Sequence, residues 1–127
     1  MIETARLNDE TENQAGEREL LQAAYREFNA RNLEAILARL HPSVDWANGM
    51  EGGHVHGRDG VRDYWTRQWA MIDPNVDPIN IELDEKGRLI VEVHQVVRDL
   101  NGNVLIDKTV HHAYRFVDGL IKRMDIE

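Results

Sequence analysis

VLIDKTVHHAYRFVDGLIKRMDI, residues Val104–Ile126, reads as two strands folded back on each other at Asp118-Gly119. β-Branched and aromatic residues fill both arms, and Asp-Gly is among the strongest short hairpin signals. A two-residue loop there sets Val117 opposite Leu120, Phe116 opposite Ile121, Tyr114 opposite Arg123 and His112 opposite Asp125. Upstream, Asn101-Gly102 turns Arg88–Asp99 onto Val104–Val117 and places Val91 against His112 and Val93 against Val110. Asp84-Glu85-Lys86-Gly87 turns Val76–Leu83 onto Arg88–Asp99 in the same way. Consecutive hairpins of this kind predict an antiparallel meander. The face carrying Val91, Val93, Val110, Tyr114 and Phe116 is apolar and must be covered, so His112 and Asp125 are expected inside. A one-residue bulge would bring His111 to that face instead.

The first third of the chain supplies the cover. Leu21, Ala24, Tyr25 and Phe28 recur at helical spacing and predict a helix over about Glu17–Ala30. Asn29-Ala30-Arg31-Asn32 breaks it, and Asn32 is placed to cap a second helix whose stripe is Leu33, Ile36, Leu37 and Leu40. His41-Pro42 ends that helix, because proline cannot continue it and restricts the residue before it. Helices first and strands last mean an α+β fold, with the helices on one face of a bent sheet.

Between the two halves lies His41–Trp69, which holds all three tryptophans, Trp46, Trp65 and Trp69. Val44–Asn48 alternates like a short strand, and a Gly-rich loop follows. Val61, Tyr64, Trp65, Gln68, Trp69 and Ile72 then recur at helical spacing, from about Arg58 or Asp59 to Met71, stopped by Asp73-Pro74. Amphipathic rings on a strand and a helix joined by such a loop predict the wall and mouth of a small-molecule pocket. His54 and His56 read as loop histidines, since no third metal ligand is evident near them. His94 falls near Thr109 on the opposite sheet face.

A chain of 127 residues makes one domain. Residues 1–16 are rich in acids and lack apolar periodicity, so they are expected to form a mobile arm, with the domain spanning 17–127. The absence of cysteine excludes disulfides, thiolate catalysis and cysteine zinc sites, and fits a cytoplasmic protein. No run approaches the roughly 20 apolar residues a membrane span requires. A formal charge of −8 opposes general nucleic-acid binding. No P-loop, dinucleotide fingerprint or serine elbow occurs, and no cofactor is implied.

Taken together, Tyr25–Asn32, Val44-Asp45-Trp46, His56–Arg62 and Tyr114–Ile121 resemble the SnoaL-like branch of the nuclear transport factor 2-like superfamily. The resemblance implies a cone: a curved antiparallel sheet wraps three N-terminal helices around an apolar cavity, commonly as a homodimer through the open sheet face. Relatives include polyketide cyclases, ketosteroid isomerases, dehydratases, small epoxide hydrolases and proteins that only bind, so fold does not settle function. Asn48 stands where ketosteroid isomerases carry a catalytic aspartate, and His112 where they carry an oxyanion-hole aspartate. Both departures count against steroid isomerisation. SnoaL-like cyclases use a histidine and an aspartate from the last two strands, which His112 and Asp125 match by type and place.

The expected activity is therefore cofactor-independent acid–base chemistry (cyclase, isomerase or lyase) on a hydrophobic carbonyl compound. His112 and Asp125 would move the proton. Asn48, the Trp46 indole or Arg123 would donate to the developing enolate oxygen. Trp65, Trp69 and Tyr114 would supply flat apolar walls. The alternative is a non-catalytic ligand-binding or dimerisation module of the same fold.

Overall fold

The computed structural model describes residues 12–127. Helix α1 spans Glu12–Asn29, α2 Leu33–Leu37 and α3 Gly57–Met71; strands β1 to β6 span Leu40–Ala47, His54–His56, Asp73–Leu83, Leu89–Arg98, Val104–Val117 and Leu120–Ile126. The six strands form one sheet in the order β2-β1-β6-β5-β4-β3. The three hairpins are present, and the helices lie on one face of the sheet, as the apolar alternation required. No helix among the described residues is long and apolar enough to cross a membrane.

Helix α1 begins at Glu12, five residues earlier than its apolar stripe indicated. The rest of the expected N-terminal arm, residues 1–11, lies outside the described residues. Leu21, Ala24 and Tyr25 are its buried residues, as the spacing predicted. The helix ends in a Schellman-type turn: Arg31 adopts φ 61° and the Asn32 amide donates to Glu27 O at 2.8 Å. That left-handed conformation is held by side-chain contacts. The Arg31 guanidinium donates to Phe28 O and Pro74 O and lies over the rings of Phe28 and Trp69. Asn29 then stitches the helix end to β3, its carboxamide donating to Val76 O and accepting from Val76 N, both at 2.9 Å.

The expected second helix is cut short. Only Leu33–Leu37 is helical, and Leu40 already pairs in parallel with Ile121 of β6. Leu40 and Val44 are fully buried, so sheet packing outweighs the helical spacing of Leu40. Pro42 is tolerated in β1 because the ladder to β6 is irregular between Leu40 and Asp45. His54–His56, expected in a loop, adds an edge strand whose Val55 opposes Trp46. The deeply buried Leu21, Ile36, Val44, Val61, Val91 and Ile121 gather helices and sheet into one core. Each contributes about 1.5–3 kcal/mol by its burial.

Register decides what enters that core. Val91 opposes His112 and Val93 opposes Val110, as predicted, although the turn before β5 spans more residues than Asn101-Gly102. Asp118 and Gly119 both take positive φ (55° and 76°), the two-residue turn that matches strand twist. Val117 faces Leu120 and Phe116 faces Ile121. Beyond that point the prediction fails. The ladder slips between Arg115 and Phe116, Lys122 is the extra residue, and Arg115 opposes Arg123. Tyr114 therefore pairs with Met124, Ala113 with Asp125 and His112 with Ile126. The bulge lets both Ile121 and Met124 point into the core, where they are 1% and 2% exposed.

Candidate functional site

Helices and sheet surround a cavity of about 250 Å³ whose lining extends to Gln95, Val97 and the exposed Ile106 and Lys108, beside the turn that joins β4 to β5. Its walls are mostly apolar. Trp65 from α3 stands edge-on to Trp46 from β1, their ring centroids 5.2 Å apart, and Trp46 meets the edge of Tyr114 at 6.1 Å. Phe28 closes against Trp65 from α1 at 5.5 Å. Such edge-to-face contacts place the positive rim of one ring against the negative face of the next and fix the wall's shape.

Into this apolar space projects one buried polar chain. The Tyr25 hydroxyl lies 2.8 Å from His112 Nδ1 and 2.8 Å from the Tyr114 hydroxyl. Tyr25, Tyr114 and His112 are 5%, 3% and 9% exposed. The Tyr25 and His112 rings are parallel, 9° between planes, which fixes the imidazole's orientation. Burial, helped by the neighbouring His111, pulls the His112 pKa down from 6.5 to about 4, so the ring is neutral across the physiological range. Burial likewise pushes the Tyr25 and Tyr114 hydroxyls well above their ordinary value. All three groups are uncharged, and each of the three rings lines the cavity.

Asp125 is not among them. The bulge at Lys122 turns it to the outer face of the sheet, so the expected His112–Asp125 pair does not form. Asp125 instead accepts from Arg123 and lies 2.8 Å from His54 Nε2. The Arg123 hydrogen bond, with that of His54, holds its carboxyl below the ordinary value. Arg123, expected as an oxyanion donor, sits on the same outer face for the same reason. Beside it Asp45 bonds to His56 and is held low mainly by that bond, with Lys122 and Arg123 nearby. His54 and His56 are thus partners of two outward carboxylates. Among the described residues no three histidine or acidic side chains converge as metal ligands would.

The remaining expected residues divide. Trp46, Trp65 and Tyr114 line the cavity, and Trp69 does not. It stacks behind Trp65 at 6.1 Å and supports that wall from outside. Asn48 is buried, but its side-chain oxygen accepts from the amides of Met50 and Glu51 and its nitrogen donates to Glu51. It shapes the loop and is not among the residues that line the cavity. That loop reaches the cavity through Gly49 and Met50, and Gly49 N donates to the Tyr64 hydroxyl at 3.1 Å. Tyr25 is the residue the sequence reading left out of the site. Its signal was a phenol in an otherwise aliphatic and phenyl stripe, since a buried hydroxyl requires a partner.

Comparison with known proteins agrees with this architecture. The profile of the SnoaL-like domain matches residues 21–124. TerC, solved with polyporic acid, superimposes with TM-score 0.77 at 24% identity over 88% of this chain and 90% of that one. A putative polyketide cyclase from Xanthomonas campestris gives TM-score 0.75 at 24% identity over 90% of both chains. A Mycobacterium tuberculosis protein in complex with estradiol-17β-hemisuccinate gives 0.73 at 16% identity, over 86% of this chain and 90% of that one. No curated protein is matched in sequence.

Proposed function

The chain belongs to the SnoaL-like domain family, and we propose that it enolises a hydrophobic carbonyl compound by passing a proton along Tyr114–Tyr25–His112. The observation that carries this reading is the uninterrupted hydrogen-bonded chain of neutral groups inside an apolar cavity. Such a chain has two polarities. In one, His112 Nδ1–H donates to Tyr25 and Tyr25 donates to Tyr114. His112 Nε2 is then a base, and the Tyr114 proton is free for a substrate oxygen. In the other, Tyr114 donates to Tyr25, Tyr25 donates to Nδ1, and Nε2 carries the proton.

Enolisation converts the first into the second. Nε2 takes the proton alpha to the carbonyl, and Nδ1 gives its proton to the Tyr25 oxygen. Tyr25 gives its own to Tyr114, and Tyr114 delivers its own to the carbonyl oxygen. The substrate leaves as its enol, and no group in the cavity becomes charged. That matters because a pKa of about 4 makes isolated imidazolium formation here unfavourable. The edge-to-face rings of Trp46, Trp65 and Tyr114 on the wall suit an aromatic or polycyclic substrate. TerC was solved with polyporic acid and the mycobacterial protein with estradiol-17β-hemisuccinate, which supports a small organic ligand.

Deuterium uptake into the acetyl methyl of β-acetonaphthone tests the proposal. The chain should accelerate uptake in deuterated buffer, and His112→Ala should lower the rate by about 10²–10⁴-fold, the usual contribution of a positioned acid–base group. Tyr25→Phe, which cuts the chain but keeps the ring, should lower it while leaving ketone affinity nearly unchanged. The low basicity of His112 favours the second reading, a binding protein without turnover. Saturable ketone binding with no acceleration by the wild-type chain would establish that reading instead.

A further inference from the structure

The cavity wall is unlike the rest of the molecule in charge. The chain carries 23 acidic residues and a net charge of −8, yet among the described residues that line the cavity none is acidic, and Lys108 is the one cation. Lys108 lies on the inner face of β5 opposite Gln95, which lines the same mouth. Among the described residues it makes no ion pair. The adjacent Asp107 faces the other side of the sheet and bonds His94 at 2.7 Å. Val110 separates Lys108 from His112 along the inward face, and the two backbones are about 13 Å apart at the usual strand rise.

We infer that the cavity takes an anionic ligand, a flat carbonyl acid whose carboxylate or equivalent oxyanion is held by Lys108 and Gln95 at the mouth. This rests on the reading that the cavity binds a carbonyl compound at its His112 end. A molecule of two fused rings spans the interval between the two polar ends once both side chains reach inward. An ammonium without a protein counter-ion at a largely apolar mouth gains a charge-assisted hydrogen bond from such a ligand. The long-range field of an acidic protein opposes anions generally, so an acid-free wall with one cation selects where an anion is accepted.

The test uses β-acetonaphthone bearing a carboxylate on its far ring, together with the neutral primary amide of that acid. Their dissociation constants are measured by calorimetry on the whole chain, on Lys108→Met and on Lys108→Glu. The wild type should prefer the acid over the amide, and Lys108→Met should lower that preference about fivefold, the upper worth of a charge pair at an exposed lysine. Lys108→Glu should reverse it, with amide affinity held within about twofold throughout. Amide binding with an acid-to-amide ratio that ignores both substitutions would overturn the anion inference and leave the carbonyl-binding cavity intact. Failure of the wild type to bind either compound would overturn both.

Discussion

The two faces of the last strands place nearly the same residue types in opposite physical regimes. On the inner face, His112 is shut among rings, bonded to a phenol and held neutral. On the outer face, Asp125 and Arg123 of β6 join Asp45 of β1 and His54 and His56 of β2 in a partly exposed lattice of charge-assisted bonds. Outside, partners hold carboxylates ionised. Inside, desolvation removes charge. A histidine near an aspartate in sequence therefore carries no fixed meaning. The face it occupies decides whether it belongs to an ion-pair network or to a neutral proton relay.

Removing the inner wall should separate the faces most strongly. Trp65→Ala empties a 2%-exposed site, and unfolding in urea should show a loss of about 3–5 kcal/mol. The outer-face substitution His56→Ala should change stability by no more than about 1 kcal/mol. Comparable losses from the two would mean that the sheet's outer lattice is as structural as its core.

The pH dependence of stability separates the faces next. The folded-state pKa of His112 is depressed from 6.5 to about 4, so between those values the unfolded chain binds a proton that the folded chain does not. Stability should therefore fall as pH drops from 6.5 toward 4, by about 3 kcal/mol in all. Asp45 and Asp125 are also depressed, but from 3.8. Their contribution is present above the ordinary carboxylate pKa and is lost only as pH falls through their lower folded values. Urea unfolding of wild type and His112→Gln at stepped pH should differ in the upper window and run parallel in the lower one. Parallel behaviour in both would contradict the burial assigned to His112.

The smallest effect belongs to the residue that the sequence favoured most. Asp125→Asn should leave the deuterium-uptake rate within about twofold of wild type and cost no more than about 1 kcal/mol, as partly exposed pairs do. A loss of uptake matching that of His112→Ala would bring Asp125 back into the chemistry and erase the distinction between faces.

Most elements were legible because side-chain direction repeats along a helix or strand, so a local pattern states which face is buried. The hairpin at Asp118-Gly119, the buried stripe of α1 and the aromatic face of α3 all follow from that rule. Leu40 escaped it, since an apolar residue at helical spacing serves equally well as the first residue of a strand. Tyr25 was visible as a core position, but its partners lie on β5, 87 and 89 residues away.

The amino-acid pattern alone determined the fold class, the meander, the apolar face that includes His112, and the indole-rich wall. Only the tertiary structure decided which acid or hydroxyl meets that imidazole. One extra residue at Lys122 turns every later side chain of β6 over. The packing of Ile121 and Met124 against distant helices selects that bulge, and no window of local sequence contains those contacts.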